Sequence, residues 1–493
     1  MWEFTLNAYR GPRLGSVKVE GRYRIERDAL GERRVPARAY YGIQTLRATE
    51  NFRVSDLPNH PFLIEAYASI KMASAMANME VGWLEPRIGQ AILKASDEIR
   101  GGALRDQFPV DRFQAGAGTS TNMNLNEVIT NRALEIMGHR KGRYDIISPN
   151  DHVNMAQSTN DTFPTAMYIS VHWMTLQLRV VLNDLVKAFT DKGEQFKSVL
   201  KPGRTHLQDA MPVTLGSEFT AYGESLRRLN QEMLRRSDML LTIPLGGTAT
   251  GTGINAHPEY KELAIGHLRR ITGLELVPNP NSHEAMQSTT RIVAVSSSYK
   301  ELAVELGRIS NDLRLMSSGP TSGFGEIILP AVQPGSSIMP GKVNPVMPEC
   351  LNQICFAIIG NDLAISQAAG AGQLELNVMM PVMGNLILRS AEYLVNFLPL
   401  FTEKCVTGIT ADEASLTRRA MNNPALATLL NVKLGYLKAA EIAKESVMTG
   451  RSVMDIALDE GLITPEESRE FFAVDTIIGI NKPVNNPRGR RSK

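Results

Sequence analysis

Residues 335–345 read G-S-S-I-M-P-G-K-V-N-P, a segment in which several reactive and ligand-binding residue types occur together. Adjacent hydroxyls at Ser336 and Ser337 are followed by a lysine, Lys342, and an amide, Asn344. The glycines and prolines of the segment favour a loop that can change conformation. We therefore expect a mobile loop that carries a proton acceptor, donors for an anion and one fixed positive charge. Proton removal beside a carboxylate requires these groups.

Three further segments rich in hydroxyl and amide side chains occur far upstream of this loop. They are residues 116–124, 157–161 and 203–209. Each offers neutral donors and acceptors that can orient a carboxylate without neutralising it. Any one of them alone is equally well explained by turns or helix caps, which favour Ser, Thr and Asn. Together with the loop, they predict a binding site assembled from distant parts of the chain.

Two other patterns bear on ligands. His206, taken alone, has the character of a structural histidine, but beside Arg204, Thr205 and Asp209 it becomes a candidate binding group. Residues 251–256 fit the dinucleotide-binding pattern G-x-G-x-x-A, yet no buried strand precedes them, so we expect a glycine-rich turn near the site. The eight histidines lack zinc-binding spacing, and we expect no metal ion and no cofactor.

The elements that must position these segments are predicted to be helices. Leu302, Leu306, Ile309 and Leu313 form one apolar stripe at helical spacing. A second stripe runs through Leu182, Leu185, Val186 and Phe189, followed by Phe196 and Leu200. Several such helices between about residues 160 and 410 predict a helix bundle, and their apolar faces suit either an intrachain core or a subunit interface.

Composition narrows the class of protein. The chain has 493 residues and a formal net charge of +2, which gives no electrostatic reason to expect a nucleic-acid partner. No run of about 18 apolar residues predicts a membrane span. Cys350, Cys355 and Cys405 form no C-x-x-C pair, which favours a reducing cytoplasm. We expect a loose N-terminal extension at residues 1–20 and a flexible basic tail at 481–493.

The segment 335–345 is highly specific to the aspartase/fumarase superfamily, which the chain resembles from about residue 24 to about residue 472. Residues 34–42, 148–154 and 311–314 also resemble that superfamily. The resemblance implies an all-α, mainly helical fold of three domains with a long central helix bundle. The expected boundaries are an N-terminal domain at 21–158, a central domain at 159–412 carrying the loop at 333–346, and a small helical domain at 413–480.

The resemblance also implies a role for each matched residue. Ser336 would be the catalytic base, and its substrate would be a small dicarboxylate. The other groups divide by the part of the substrate they would hold: Thr119, Ser158, Thr159 and Ser337 for the β-carboxylate and its enediolate, Thr205, Lys342 and Asn344 for the α-carboxylate, and Asn160 and His206 for the amino group. The family resemblance further implies a homotetramer whose active sites are shared between subunits.

Within the superfamily, the main choice lies between eliminating ammonia from L-aspartate and hydrating fumarate to malate. Ser120, Thr159 and residues 345–349 and 371–377 resemble members that eliminate ammonia, whereas residues 162–167 resemble class II fumarate hydratases. We therefore expect a carbon–nitrogen lyase. Three positions depart from the family pattern, namely Thr321, Met380 and Lys433.

Two further alternatives have less support. A lyase for succinyl-type substrates is disfavoured by residues 150–152 and by Gly341. A non-catalytic structural protein built on the lyase fold is disfavoured because it would not need the hydroxyl, lysine, amide and histidine side chains together.

Overall fold

A computed structural model describes residues 22–481, and helices dominate it. The structure is 63% helical with only small sheets, which confirms the predicted all-α, mainly helical class. The predicted N-terminal extension at 1–20 and all but the first residue of the predicted basic tail lie outside the described residues. No described helix is long and apolar enough to cross a bilayer.

The helices are numbered here in chain order. They are α1 (Ile43–Asn51), α2 (Pro61–Glu80), α3 (Pro86–Arg100), α4 (Thr119–Ile136), α5 (Thr159–Gln195), α6 (Leu215–Ser237), α7 (Tyr260–Thr272), α8 (Ser282–Gln287), α9 (Thr290–Met316), α10 (Val346–Gly370), α11 (Met380–Lys404), α12 (Glu413–Met421), α13 (Asn431–Leu434), α14 (Tyr436–Thr449), α15 (Val453–Asp459), α16 (Pro465–Phe471) and α17 (Val474–Ile477).

The described strands form four two-stranded sheets. The antiparallel pairs are β1 (Tyr23–Asp28) with β2 (Gly31–Pro36), β3 (Leu200–Thr205) with β4 (Gln208–Thr214), and β7 (Ile327–Ile328) with β8 (Thr410–Ala411). The strands β5 (Thr242–Ile243) and β6 (Val277–Pro278) pair in parallel. These small ladders fasten loops to the helical framework and do not build a core of their own.

The apolar stripe at Leu302, Leu306, Ile309 and Leu313 lies on α9, and each of its side chains is at most 1% exposed within a single chain. Because those residues are already buried, the stripe is intrachain core. Of the two alternatives the sequence left open, core or subunit interface, the structure selects the core for this stripe.

The C-terminal helices begin and end where local signals predict. Thr464 and Glu467 form a capping box at the start of α16, with Pro465 in its first turn. Gly450 takes up the left-handed conformation that ends α14. Local sequence patterns therefore predict these boundaries correctly.

The chain divides into two compact units. Among the described residues, unit 1 comprises 22–173, 239–293 and 364–388, and unit 2 comprises 174–238, 294–363 and 389–481. Four of the five divisions fall inside the long helices α5, α9, α10 and α11, and the fifth follows the end of α6. The three-domain boundaries given by the family resemblance stay a prediction.

In unit 2, the hairpin of β3 and β4 is attached to the C-terminal helices. Leu200 from the hairpin belongs to the same apolar cluster as Leu426, Leu430 and Ile442, and Met211 packs against that cluster. The side chain of Asn423 donates a hydrogen bond to the carbonyl of Ala210 over 3.0 Å. The tip of this hairpin carries two of the predicted site residues.

Candidate active site

The loop at 333–346 follows β7 and ends where α10 begins, in unit 2. Its Ser336 Oγ accepts hydrogen bonds from the backbone N–H groups of Ile338, over 3.3 Å, and Met339, over 3.0 Å. Two amides directed at one hydroxyl oxygen stabilise negative charge on it. The local backbone therefore supplies two donors to the Ser336 oxygen.

The loop is closed on itself by backbone and side-chain hydrogen bonds. The N–H of Gly335 donates to the carbonyl of Lys342 over 2.8 Å, and Asn344 Nδ2 donates to the carbonyl of Gly335 over 2.6 Å. A Cβ at Gly335 would lie 2.4 Å from the Lys342 carbonyl oxygen, so the closure requires glycine. One N–H of Asn344 is thus used within the loop, and its second N–H remains for a ligand. Ser337 and Lys342 are exposed.

Thr119 is the first residue of α4 in unit 1 and is exposed. The preceding Gly118 has a φ of 84°, and a Cβ there would lie 1.9 Å from the ring of Phe163. Only glycine meets both conditions, the left-handed backbone and the close approach of the ring. Gly118 thereby fixes the point at which α4 starts and Thr119 with it.

Ser158, Thr159 and Asn160 form the start of α5. Ser158 Oγ accepts from the N–H of Asn160 over 3.2 Å, and Thr159 Oγ1 accepts from Asn122 Nδ2 over 3.0 Å. Each hydroxyl oxygen is therefore already an acceptor, which leaves its proton for an anion. Asn160 Nδ2 donates to the carbonyl of Ala249 over 2.8 Å, so its Oδ1 is the end that can accept from a substrate ammonium group.

The bond between Asn122 and Thr159 also joins the first turn of α4 to the start of α5. Unit 1 therefore brings together two helix N-termini that both begin with threonine. The positive end of a helix dipole and free backbone N–H groups favour a bound anion at such a point. This arrangement suits the charge of an enediolate.

A buried carboxylate holds the start of α5 in place. Asp161 is completely buried, and its Oδ2 accepts from the N–H groups of Gly246 and Thr248, each over 3.0 Å. Burial raises the pKa of Asp161 to about 7, against the opposing effect of these backbone hydrogen bonds. Residues 246–249, which lie just before the segment that imitates a nucleotide-binding motif, thus lie against the segment 157–161.

Thr205 and His206 lie at the tip of the β3–β4 hairpin, where Thr205 pairs with Gln208. The two turn residues, His206 and Leu207, have φ values of 55° and 59°. That backbone is typical of a tight hairpin turn, in which Asn and Gly are usual. Non-glycine residues there carry strain, and strain of this kind concentrates at functional sites.

Strand β3 of the hairpin is held by a largely buried ion-pair network in unit 2. Arg204 contacts Glu326 over 2.6 Å and stacks on the ring of Phe324, with 4.4 Å to its centre. Lys201 lies 2.8 Å from Glu218 and 3.3 Å from Glu326. Since Glu326 directly precedes β7, one carboxylate connects the hairpin to the segment that leads into the loop.

The predicted residues fall into three groups. Thr119, Ser158, Thr159 and Asn160 lie together in unit 1, Thr205 and His206 at the hairpin tip, and Ser336, Ser337, Lys342 and Asn344 in the loop. Sequence reasoning singled out the segment that contains Asn122, but it missed other residues that support these groups, above all Lys71 and Glu326. Only Glu326 had a sequence signal, since a lone carboxylate beside a predicted catalytic loop is a natural partner for Arg204.

The three departures from the family pattern have distinct surroundings. Thr321 is exposed, whereas Met380 is buried at the start of α11. Lys433 forms an ion pair with Glu467 and holds the pKa of that carboxyl below its ordinary value. Lys433 therefore joins α13 to the capping box of α16.

Metal binding has no structural support in the described part of the chain, where no group of three or more His, Cys, Asp or Glu side chains could hold an ion. Cys355 and Cys405 are buried free thiols, and burial raises the pKa of each to about 12. Neither has the character of a nucleophile.

Comparison with known proteins agrees with this geometry. A family model described as Lyase matches residues 31–360, and one described as Fumarase C C-terminus matches residues 426–479. Aspartate ammonia-lyase from Bacillus subtilis (strain 168) is 50% identical over 445 residues, 90% of this chain and 94% of that protein. Aspartate ammonia-lyase from Escherichia coli (strain K12) is 45% identical over 458 residues, 92% of this chain and 96% of that protein.

Solved structures give the same result. A fumarate lyase:delta crystallin from Brucella melitensis, bound to cobalt, is 47% identical, with a TM-score of 0.90 over 92% of this chain and 99% of that chain. A class II fumarase from Schistosoma mansoni is 34% identical, with a TM-score of 0.88 over 91% of this chain and 98% of that chain. The match covers the loop, the helix starts and the hairpin alike, and the chain therefore belongs to the aspartase/fumarase superfamily of lyases.

Proposed function

We propose that this chain catalyses the reversible elimination of ammonia from L-aspartate to give fumarate. The pair of N–H groups donated to Ser336 Oγ carries the proposal, because a serine can act as a base only where its alkoxide is stabilised. The relatives at 45% to 50% identity that cover most of the chain are aspartate ammonia-lyases, which supports the choice of substrate.

The first step is removal of a proton from the carbon beside the β-carboxylate by Ser336. The electron pair moves into the carboxylate and gives an enediolate with one additional negative charge. Thr119, Ser158, Thr159 and Ser337 hold that group, and each well-placed donor is worth roughly 3 kcal/mol in the transition state. The hydroxyls of Ser158 and Thr159 already accept hydrogen bonds, so their protons are free for this purpose.

The second step expels the amine. Asn160 Oδ1 and His206 bind the protonated amino group, while Lys342, Asn344 and Thr205 hold the α-carboxylate. The electron pair of the enediolate forms a new double bond between the α- and β-carbons as the carbon–nitrogen bond breaks, and the β-carboxylate is restored. Because the amine leaves as ammonia from its protonated form, the site needs no separate general acid.

The second candidate is hydration of fumarate to malate, favoured by the class II fumarase among the structural relatives. The deciding experiment is side-by-side turnover of L-aspartate and L-malate by the purified enzyme, followed by the ultraviolet absorbance of fumarate. We expect fumarate from aspartate and none from malate. Fumarate from malate alone would overturn the proposal in favour of the hydratase.

We further propose a cytoplasmic homotetramer in which different subunits contribute the loop, the hairpin and the helix starts to one site. The surface of α10 supports an assembly, since Phe356, Ile359 and Leu363 lie on one face and are 67%, 36% and 62% exposed. The three free cysteines suit a reducing compartment.

Sedimentation tests the assembly. Phe356→Arg should convert the tetramer into smaller species and remove activity with it. Val447→Arg is the matched control, because Val447 is an apolar residue on α14 with 69% exposure and should leave the tetramer intact. A fully active monomer of the unmodified enzyme would contradict the shared site.

A further inference from the structure

A lysine with no place in the proposed reaction is buried behind the helix starts of unit 1. Lys71, on α2, has no exposed side-chain surface. Its Nζ lies 2.8 Å from Asn122 Oδ1, 3.1 Å from Asn154 Oδ1 and 2.8 Å from Gln157 Oε1. A protonated amine has three N–H groups, so every one of them meets an oxygen.

The surrounding hydrogen bonds fix the direction of these contacts. Asn122 Nδ2 donates to Asn154 Oδ1 and to Thr159 Oγ1, and Gln157 Nε2 donates to the carbonyls of Val153 and Met155. The amide oxygens therefore point at Lys71 and can only accept. Burial lowers the pKa of Lys71 to about 7, and the nearby charge of Asp161 opposes that shift.

These contacts form a continuous chain of hydrogen-bond donors from Lys71 to Thr159. Lys71 donates to Asn122, and Asn122 donates to Thr159, whose own proton is left to point away from both. A positive charge at one end of such a path polarises each donor in turn toward the far end. The effect is strong here because Lys71, Asn122 and Thr159 are all buried, where charge is poorly screened.

We propose that Lys71 is a positioning residue for the elimination: through Asn122 it directs the Thr159 hydroxyl at the β-carboxylate and strengthens that donor as the enediolate forms. This inference rests on the proposed function and assigns to it a lysine that never touches substrate. Asp161 is the charged group that acts on Lys71. Its carboxylate accepts hydrogen bonds from the backbone N–H groups of Gly246, Thr248 and Ser158.

The test compares three full-length variants with the unmodified enzyme. Lys71→Met removes the charge at similar side-chain length. Asn122→Asp keeps the contact to Lys71 but replaces the donor to Thr159 by an acceptor, which turns the Thr159 proton inward. Ser74→Ala is the matched control: Ser74 is equally buried on α2, and its hydroxyl bonds only to Tyr260 OH, over 2.9 Å, among the contacts of the described chain.

Two inhibitors separate positioning from mere structural support. One is the aspartate analogue in which a nitro group replaces the β-carboxylate, since its nitronate is planar with negative charge on both oxygens, like the enediolate. The other is succinate, which resembles the ground state. We expect Lys71→Met and Asn122→Asp to lower kcat and nitronate affinity by about 100-fold, with succinate affinity and KM changed much less. Ser74→Ala should change thermal stability only.

Each outcome decides a different point. Lys71→Met with an unchanged nitronate-to-succinate preference would overturn the relay, as would equal losses for both inhibitors. If Lys71→Met does not fold, Asn122→Asp decides alone, because its new ion pair with Lys71 supports the fold. If the unmodified enzyme makes no fumarate from aspartate, the proposed function itself fails and the relay fails with it.

Discussion

The helix-start donors proposed for the enediolate and the proposed base, Ser336, are supported in opposite ways. Thr159 sits on a helix start backed by fully buried side chains, among them Lys71 and Asp161. Ser336 sits on a largely exposed loop whose hydrogen bonds, at Gly335 and Asn344, are made mostly within the loop itself. The difference indicates that the proposed donors at the helix starts are held rigidly, whereas the proposed base lies, together with Ser337, on a segment able to close over substrate.

The largest effect should come from Ser336→Ala. Without the base, kcat should fall by about 10³- to 10⁴-fold, while thermal unfolding should change little because the hydrogen bonds of Ser336 are made within a largely exposed loop. Ser337→Ala is the control at the neighbouring position. It removes one hydrogen-bond donor and should lower kcat by only about 100-fold. Fumarate release measures both variants, and near-normal turnover by Ser336→Ala would remove this serine from the mechanism.

The catalytic loop and the helical class could both be predicted from the sequence. The loop was recognisable because Gly, Ser, Pro, Lys and Asn within eleven residues have few structural reasons to occur together. The helical class was readable from stripes such as Leu302 to Leu313, and the structure confirms it. The roles of the individual site residues remain predictions.

The buried residues behind the helix starts could not be predicted from the sequence, for a physical reason. Lys71 stands in the run S-I-K-M-A-S, where a lysine is expected on an exposed helix face. Its burial depends on three amide oxygens from residues 51 to 86 positions away, which no local pattern encodes. Likewise, the division into two units falls mostly inside continuous helices, where the sequence carries no linker signal.

Gly118→Ala tests the rigidity of the helix starts. The new Cβ would meet the Phe163 ring at 1.9 Å and would also oppose a φ of 84°. We expect a loss of about 3 kcal/mol in unfolding free energy, seen as a lower melting temperature. Gly138→Ala separates the two causes, since φ is 82° there and a Cβ would meet no atom within 4 Å. Equal losses at both glycines would show that the ring contact is unimportant.

Gly335→Ala tests the adaptability of the loop. Its Cβ would lie 2.4 Å from the Lys342 carbonyl oxygen, so the loop must shift. Because the loop is largely exposed, we expect kcat to fall by about 10-fold with little change in melting temperature. Gly266→Ala on α7, where a Cβ would meet nothing within 4 Å, should leave activity intact. A large loss of stability at Gly335 would mean that the loop is as rigid as the helix starts.

The smallest effect concerns the hairpin tip, which is exposed like the loop but held through strand β3 by buried groups, like the helix starts. Leu207 is 65% exposed with a φ of 59°, so Leu207→Gly should relieve backbone strain and raise stability by about 0.5 kcal/mol. Leu30→Gly is the same change in the turn between β1 and β2, where Leu30 is 80% exposed and φ is not positive. There the added flexibility of the unfolded chain should lower stability instead.

If Leu207→Gly gains stability but loses turnover, the strain serves to hold His206 in its working position. If it gains both, the strain has no part in catalysis, and the ion pair between Arg204 and Glu326 is sufficient to place the hairpin.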